Sequence, residues 1–114
     1  MTTRETILEL VAAWHANDAL RAGGFFAPEG RYQESGREAV CGRAAVVAHF
    51  TRFFRDGPPW RFEIDELVVE GERAALTYRF AVKGDGEGWD ERAGCAMVRL
   101  REGLVAEWRE WRLV

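Results

Sequence analysis

Two segments of this chain set carboxylates beside large aromatic rings at a spacing of two residues. In Arg31-Tyr32-Gln33-Glu34-Ser35, an extended backbone puts Tyr32 and Glu34 on one face. In Glu107-Trp108-Arg109-Glu110-Trp111, Trp108 and Glu110 share one face while Glu107, Arg109 and Trp111 share the other. A carboxylate held against an apolar ring is poorly solvated, which raises its pKa and suits it to proton transfer. Glu34 and Glu110 are therefore the candidate acid or base, and Tyr32 is the candidate hydrogen-bonding partner of a substrate oxygen or water. Arg79 is the candidate charge that tunes them. If all three side chains face inward, Glu34, Arg79 and Glu110 form a carboxylate–guanidinium–carboxylate cluster, which is costly to bury without purpose. Plainer alternatives stand beside these: Glu34 as a rim carboxylate paired with an arginine, Glu110 as an ion partner of Arg79 or Arg109, and Tyr32 as a core tyrosine. The alternation of Leu76, Tyr78, Phe80 and Val82 sets Arg79 on the opposite face of its strand, which leaves an interface position open to it.

Trp14, Trp60, Phe62 and Trp108 are candidates for the core and for contact with a small-molecule ligand. Cys95 and Met97 share a strand face and are placed at the floor of the same pocket. His15 and His49 lie on helices without a second histidine or a carboxylate at ligand spacing, so no metal is expected. The glycine-rich stretch Gly84–Gly88 lacks a following helix and so is not a phosphate loop. No cofactor is expected.

To position these groups the chain has 114 residues, the size of one domain spanning residues 1–114. A chain of this length buries roughly two-thirds of the surface exposed when unfolded. With 47% hydrophobic residues it forms a core without a metal or a disulfide. The charge balance of 19 acidic against 16 basic residues, net −3, with arginines scattered rather than clustered, argues against a nucleic-acid groove. Cys41 and Cys95, with no Cys-x-x-Cys, read as reduced, buried thiols of a cytoplasmic protein. No apolar run reaches the ~18 residues of a membrane helix, and no leader is visible at Met1-Thr2-Thr3-Arg4.

The periodicity predicts a helix over about Thr3–Asn17, with Ile7, Leu10, Val11 and Trp14 as its stripe and Thr2 and Glu5 as a capping box. A short helix follows at Ala19–Ala22, ending at Gly23-Gly24. Phe25–Gly30 reads as a turn carrying two rings into the core. A strand over Arg31–Ser35, a brief strand at Val40-Cys41 and a helix over Arg43–Arg55 come next, the last with Val46, Phe50, Phe53 and Phe54 buried. Gly57-Pro58-Pro59 stops that helix. The remainder is strand: Trp60 onward with a bulge near Glu66, a turn at Glu70-Gly71-Glu72, and a strand from Ala74 to Val82. The Gly84–Gly88 tip, Trp89–Arg101 and a final strand to Val114 complete the chain. Trp89, beside the tip, is placed as a lid or a dimer contact. Helices followed by adjacent strands make an α+β domain: about three N-terminal helices packed on one face of a strongly curved, mostly antiparallel sheet.

This order, and the motifs Trp14 with Asn17-Asp18, Phe25-Phe26-Ala27-Pro28-Glu29, Cys41-Gly42-Arg43-Ala44-Ala45-Val46, Leu67–Glu72 and Glu102-Gly103-Leu104-Val105, resemble the nuclear transport factor 2-like superfamily in its SnoaL-like branch. The resemblance covers nearly the whole chain. It implies a cone of bent sheet and helices (a cystatin-like α+β roll) around one apolar pocket, and a homodimer packed through the outer face of the sheet. It does not fix a reaction, since the superfamily holds isomerases, cyclases, epoxide hydrolases and binding proteins. Against limonene-epoxide hydrolases, Tyr32-Gln33 match, Glu34 replaces an asparagine, Arg79 matches an arginine, and Glu110 stands for the base. Ala81 replaces their aspartate, which removes the proton donor for an epoxide oxygen. Against ketosteroid isomerases, Leu10, Glu34 and Cys95 are the equivalents, and only the base survives. The expectation is a SnoaL-like protein that binds a small apolar molecule, with a pocket glutamate for proton transfer, isomerisation or water addition. The rival expectation is a non-catalytic ligand-binding or dimerisation module.

Overall fold

The first helix, α1 (Thr3–His15), starts where Thr2 and Glu5 close a capping box. Thr2 Oγ1 accepts from the Glu5 amide at 3.0 Å, and Glu5 Oε1 accepts from the Thr2 amide at 2.9 Å. It stops before Asn17, which takes a left-handed conformation at φ 55°, two residues short of the expected end. Asp18 then caps α2 (Ala19–Gly24) by accepting from the Arg21 amide at 3.0 Å. The computed structural model describes residues 1–113, so the expected final residue of the last strand, Val114, lies outside the described residues.

Strands β1 (Phe26–Gln33) and β2 (Val40–Cys41) precede α3 (Arg43–Asp56), and β3 (Trp60–Glu70), β4 (Arg73–Lys83), β5 (Trp89–Arg101) and β6 (Leu104–Arg112) follow it. They form one sheet in the order β2-β1-β6-β5-β4-β3. Every neighbouring pair is antiparallel except β1 and β6, which run parallel. The sheet curls around α1 and α3, giving the α+β cone. No helix among the described residues is long and apolar enough to cross a membrane.

Strand β1 begins five residues earlier than the sequence suggests. Pro28 and Gly30 read as a turn, yet Phe26 already pairs with Val105, and the register then shifts before Arg31. Gly30 makes this possible, because a Cβ there would lie 2.7 Å from the Val105 carbonyl oxygen. The strand also ends earlier, at Gln33, so Glu34 and Ser35 stand in the turn that follows. The expected bulge in β3 is present between Ile64 and Glu66. Cys41, expected to be buried, is exposed, because the two-residue β2 lies at the sheet edge.

The core runs from the α1 stripe, Ile7, Leu10, Val11 and Trp14, to Val98, Val105 and Trp108 on the inner face of the sheet. From α3 only Val46 and Phe50 are fully buried. Phe53 and Phe54 are half-buried, because the space beneath them is a cavity rather than packed core. Trp89 is 38% exposed, with the Arg61 guanidinium 4.4 Å from its ring centroid.

Candidate functional site

The curl of the sheet leaves a cavity of about 300 Å³ walled largely by rings: Trp14 from α1, Phe50, Phe53 and Phe54 from α3, and Trp60, Phe62 and Phe80 from the sheet. Phe50 meets Trp14 edge-on at 5.7 Å between centroids, and Trp14 meets Phe62 in the same way at 5.4 Å. Such T-shaped contacts set the positive edge of one ring against the negative face of its neighbour.

Two carboxyls, Glu110 and Glu34, break that wall. On β6 the period of two carries Trp108 and Glu110 to the inner face, as expected. Three donors converge on Glu110. Tyr32 Oη donates to Oε1 at 3.2 Å, Trp108 Nε1 donates to the same oxygen at 2.9 Å, and Tyr78 Oη donates to Oε2 at 3.1 Å. Tyr32 and Trp108 are register partners across β1 and β6, which brings the phenol and the indole to one carboxylate. Burial pushes the Glu110 carboxyl above the usual carboxylate range. The three hydrogen bonds pull against this, and the nearby Glu34 charge adds to the upward push. Burial and the Glu110 charge also push both phenols, Tyr32 and Tyr78, well up, so they stay protonated donors.

Glu34 faces the same cavity but in the opposite electrostatic state. His49 Nε2 lies 3.0 Å from its Oε1, and this hydrogen bond holds the Glu34 carboxyl below the usual range despite partial burial. An ionised carboxylate only accepts, so His49 Nε2 carries the proton in this pair. Glu34 is thus an anchored anion rather than a poised base.

Arg79 does not join them. It lies on the outer face of β4, 44% exposed, with Nη2 3.0 Å from Glu63 and Nε 3.0 Å from Asp65 Oδ1. The alternation that turns Tyr78 inward turns Arg79 outward, and the β3 bulge leaves two acidic partners beside it. Cys95 and Met97 are corrected in the same way. They pair with Trp111 and Arg109, on the face opposite Trp108 and Glu110, and form no part of the cavity wall. Trp108 is fully buried behind the wall and acts at the site only through its Nε1. Trp14, Trp60 and Phe62 do line the cavity, as do Tyr32, Glu34 and Glu110.

Two members of the site were not singled out from sequence. Tyr78 reads as one more apolar residue between Leu76 and Phe80, and only its position across from Gly94 reveals the reach of its hydroxyl. His49 reads as a boundary histidine without a carboxylate nearby, yet Glu34 sits 3.0 Å away across the fold. The signal was its place three residues after Val46, on the inward stripe of α3. Among the described residues no group of three or more His, Cys, Asp or Glu side chains stands where it could hold a metal ion.

Comparison with known proteins agrees with this architecture. The chain superposes on an NTF2-like protein of unknown function from Burkholderia pseudomallei with a TM-score of 0.85 at 18% identity, covering 99% of this chain and 92% of that one. An LEH-like epoxide hydrolase from M. tuberculosis gives 0.83 at 13% identity, over 97% and 82% of the two chains. A protein with a ketosteroid isomerase-like fold from Catenulispora acidiphila, in complex with trimethylamine, gives 0.83 at 16%, over 94% and 84%. At these identities the likeness is one of fold. No curated protein matches the sequence significantly. The SnoaL-like domain family matches residues 7–108, and the chain belongs to that family.

Proposed function

We propose that this protein takes a small, largely apolar molecule into the aromatic cavity and exchanges a proton with it through Glu110. The observation that carries this reading is a single carboxyl, raised by burial, that faces an aromatic cavity and gathers three hydrogen-bond donors. The reaction that fits best is proton transfer at a carbon beside a carbonyl. As the carboxylate, Glu110 takes the proton. Once protonated it accepts hydrogen bonds less strongly, and the Tyr32 and Tyr78 hydroxyls are then free to donate to the enolate oxygen as charge develops there. Glu34, held low by His49, stays ionised and disfavours a second negative charge at Glu110, which keeps Glu110 the group that changes state.

The experiment is deuterium uptake by a simple apolar ketone, 2-indanone, incubated with the protein in D2O and followed by mass spectrometry. This reading expects uptake above the buffer rate with the native chain, and uptake at the buffer rate with Glu110→Gln. Binding of 2-indanone without any accelerated uptake would overturn it. That outcome would favour the second reading, a non-catalytic binding module, which is supported by the three hydrogen bonds already made to the two Glu110 oxygens. In the same proposal two copies pair through the outer face of the sheet, where Met97 and Trp111 are 43% and 42% exposed on adjacent strands. Sedimentation of the native chain and of Trp111→Glu tests that pairing.

A further inference from the structure

The cavity mouth carries arginines for which the proton-transfer reading has no use. Arg37, Arg92 and Arg112 all border the cavity, in a chain whose net charge is −3. Arg92 closes on Asp90 at 3.0 Å. Elsewhere Arg21, Arg31, Arg55, Arg73, Arg79, Arg101 and Arg109 each lie within 4.0 Å of a carboxylate. Of the arginines that border the cavity, Arg37 and Arg112 have no carboxylate within that distance among the described residues, and the Arg37 charge acts on Glu34 only from further off.

Backbone ties bring the two segments that carry these arginines together at the cavity. The Arg37 amide donates to the Glu34 carbonyl at 3.1 Å, and the Arg37 carbonyl accepts from Gln33 Nε2 at 3.0 Å, closing the turn after β1. Ser35, inside that turn, accepts from the Arg112 amide at 3.1 Å and so fastens the turn to the end of β6. Arg112 also falls on the same face of β6 as Glu110, two residues on, a Cα separation of roughly 7 Å.

Resting on the cavity reading above, we infer that the mouth selects a ligand with a terminal carboxylate, gripped by Arg37 and Arg112, whose apolar body extends past Glu110 among the rings. Guanidinium forks match carboxylates geometrically and form charge-assisted hydrogen bonds with them. A monoanion suits the mouth better than a phosphate, because Glu34 and Glu110 line the same cavity and repel each added negative charge. The ligand class is therefore an organic monocarboxylate with an aromatic or aliphatic body.

The test compares 4-phenylbutanoate with its uncharged amide, 4-phenylbutanamide, by calorimetry at low salt and by ligand-observed NMR. The acid should bind about fivefold more tightly than the amide, and added salt should narrow the gap. The double variant Arg37→Gln and Arg112→Gln should erase the preference, the acid losing more affinity than the amide, while Arg99→Gln on the outer face changes neither. Equal affinities for acid and amide in the native chain, or a preference that survives in the double variant, would overturn the inference and leave the cavity reading intact. Failure of both probes to bind would overturn the cavity reading together with it. Both arginines are exposed, so the variants test recognition rather than folding.

Discussion

The Tyr78 ring lies across Gly94: a Cβ built on Gly94 would stand 2.5 Å from both Cζ and Oη of Tyr78. The two residues face each other across β4 and β5, and the missing side chain is what lets the phenol reach Glu110. Gly94→Ala should push the ring aside, with an overpacking cost of about 1–3 kcal/mol. Because the Tyr78 hydrogen bond pulls the Glu110 pKa down, its loss should move that pKa further up. Thermal unfolding and a carboxyl titration by NMR check the two effects. An unchanged Glu110 titration would mean that Tyr78 does not hold the carboxylate.

Glu110 should make stability depend on pH in a definite direction. Its folded pKa lies above its unfolded value, so its contribution is fully present below the unfolded pKa, about 4.3, and is lost as pH rises through the folded pKa. Ionised Glu110 therefore weighs against the fold at neutral pH. Glu110→Gln should unfold at a higher temperature than the native chain at pH 7, and the gain should shrink toward pH 4. Calorimetry across that range checks the slope, and a gain that grows on acidification would contradict it.

Glu34 should behave oppositely. Its folded pKa is lowered, mainly by His49, so its contribution is present above the unfolded pKa and lost as pH falls through the folded one. His49→Ala should raise the Glu34 pKa toward the ordinary value and remove part of the stability at neutral pH, with little difference from the native chain in strong acid. NMR titration of the Glu34 carboxyl in both proteins reads this directly.

Phe50 braces the cavity, packed edge-on against Trp14, Phe26 and Tyr32 and only 3% exposed. Phe50→Ala should lower stability by about 3–5 kcal/mol. Arg79→Ala, by contrast, should change stability by less than about 1 kcal/mol, since its ion pairs stand in solvent. It should leave 2-indanone exchange untouched. Chemical denaturation of the two variants separates an inward structural role from an outward ionic one.

Alternation along β6 made the shared face of Trp108 and Glu110 legible from sequence, because a period of two survives any choice of neighbouring strand. The capping box at Thr2 and the bulge before Glu66 were legible for the same reason: each is a local rule with a local signature. What failed depended on register or on long-range approach. Arg79 has the chemistry to join two carboxylates, but its own strand's alternation turns it outward. Cys95 and Met97 do share a face, as their spacing says, but pairing with Trp111 and Arg109 makes it the outer one. The partnership of Glu34 with His49 joins a turn to a helix across 15 residues, and no spacing rule announces it.

Glu110 is a carboxyl lifted by its surroundings, and a 13C-detected pH titration of that side chain tests this most directly. A midpoint above the ordinary glutamate value of about 4.3, with Glu34 titrating below it in the same spectra, is the expected result. A Glu110 midpoint at or below the ordinary value would contradict the assignment of Glu110 as the group that exchanges a proton with the ligand.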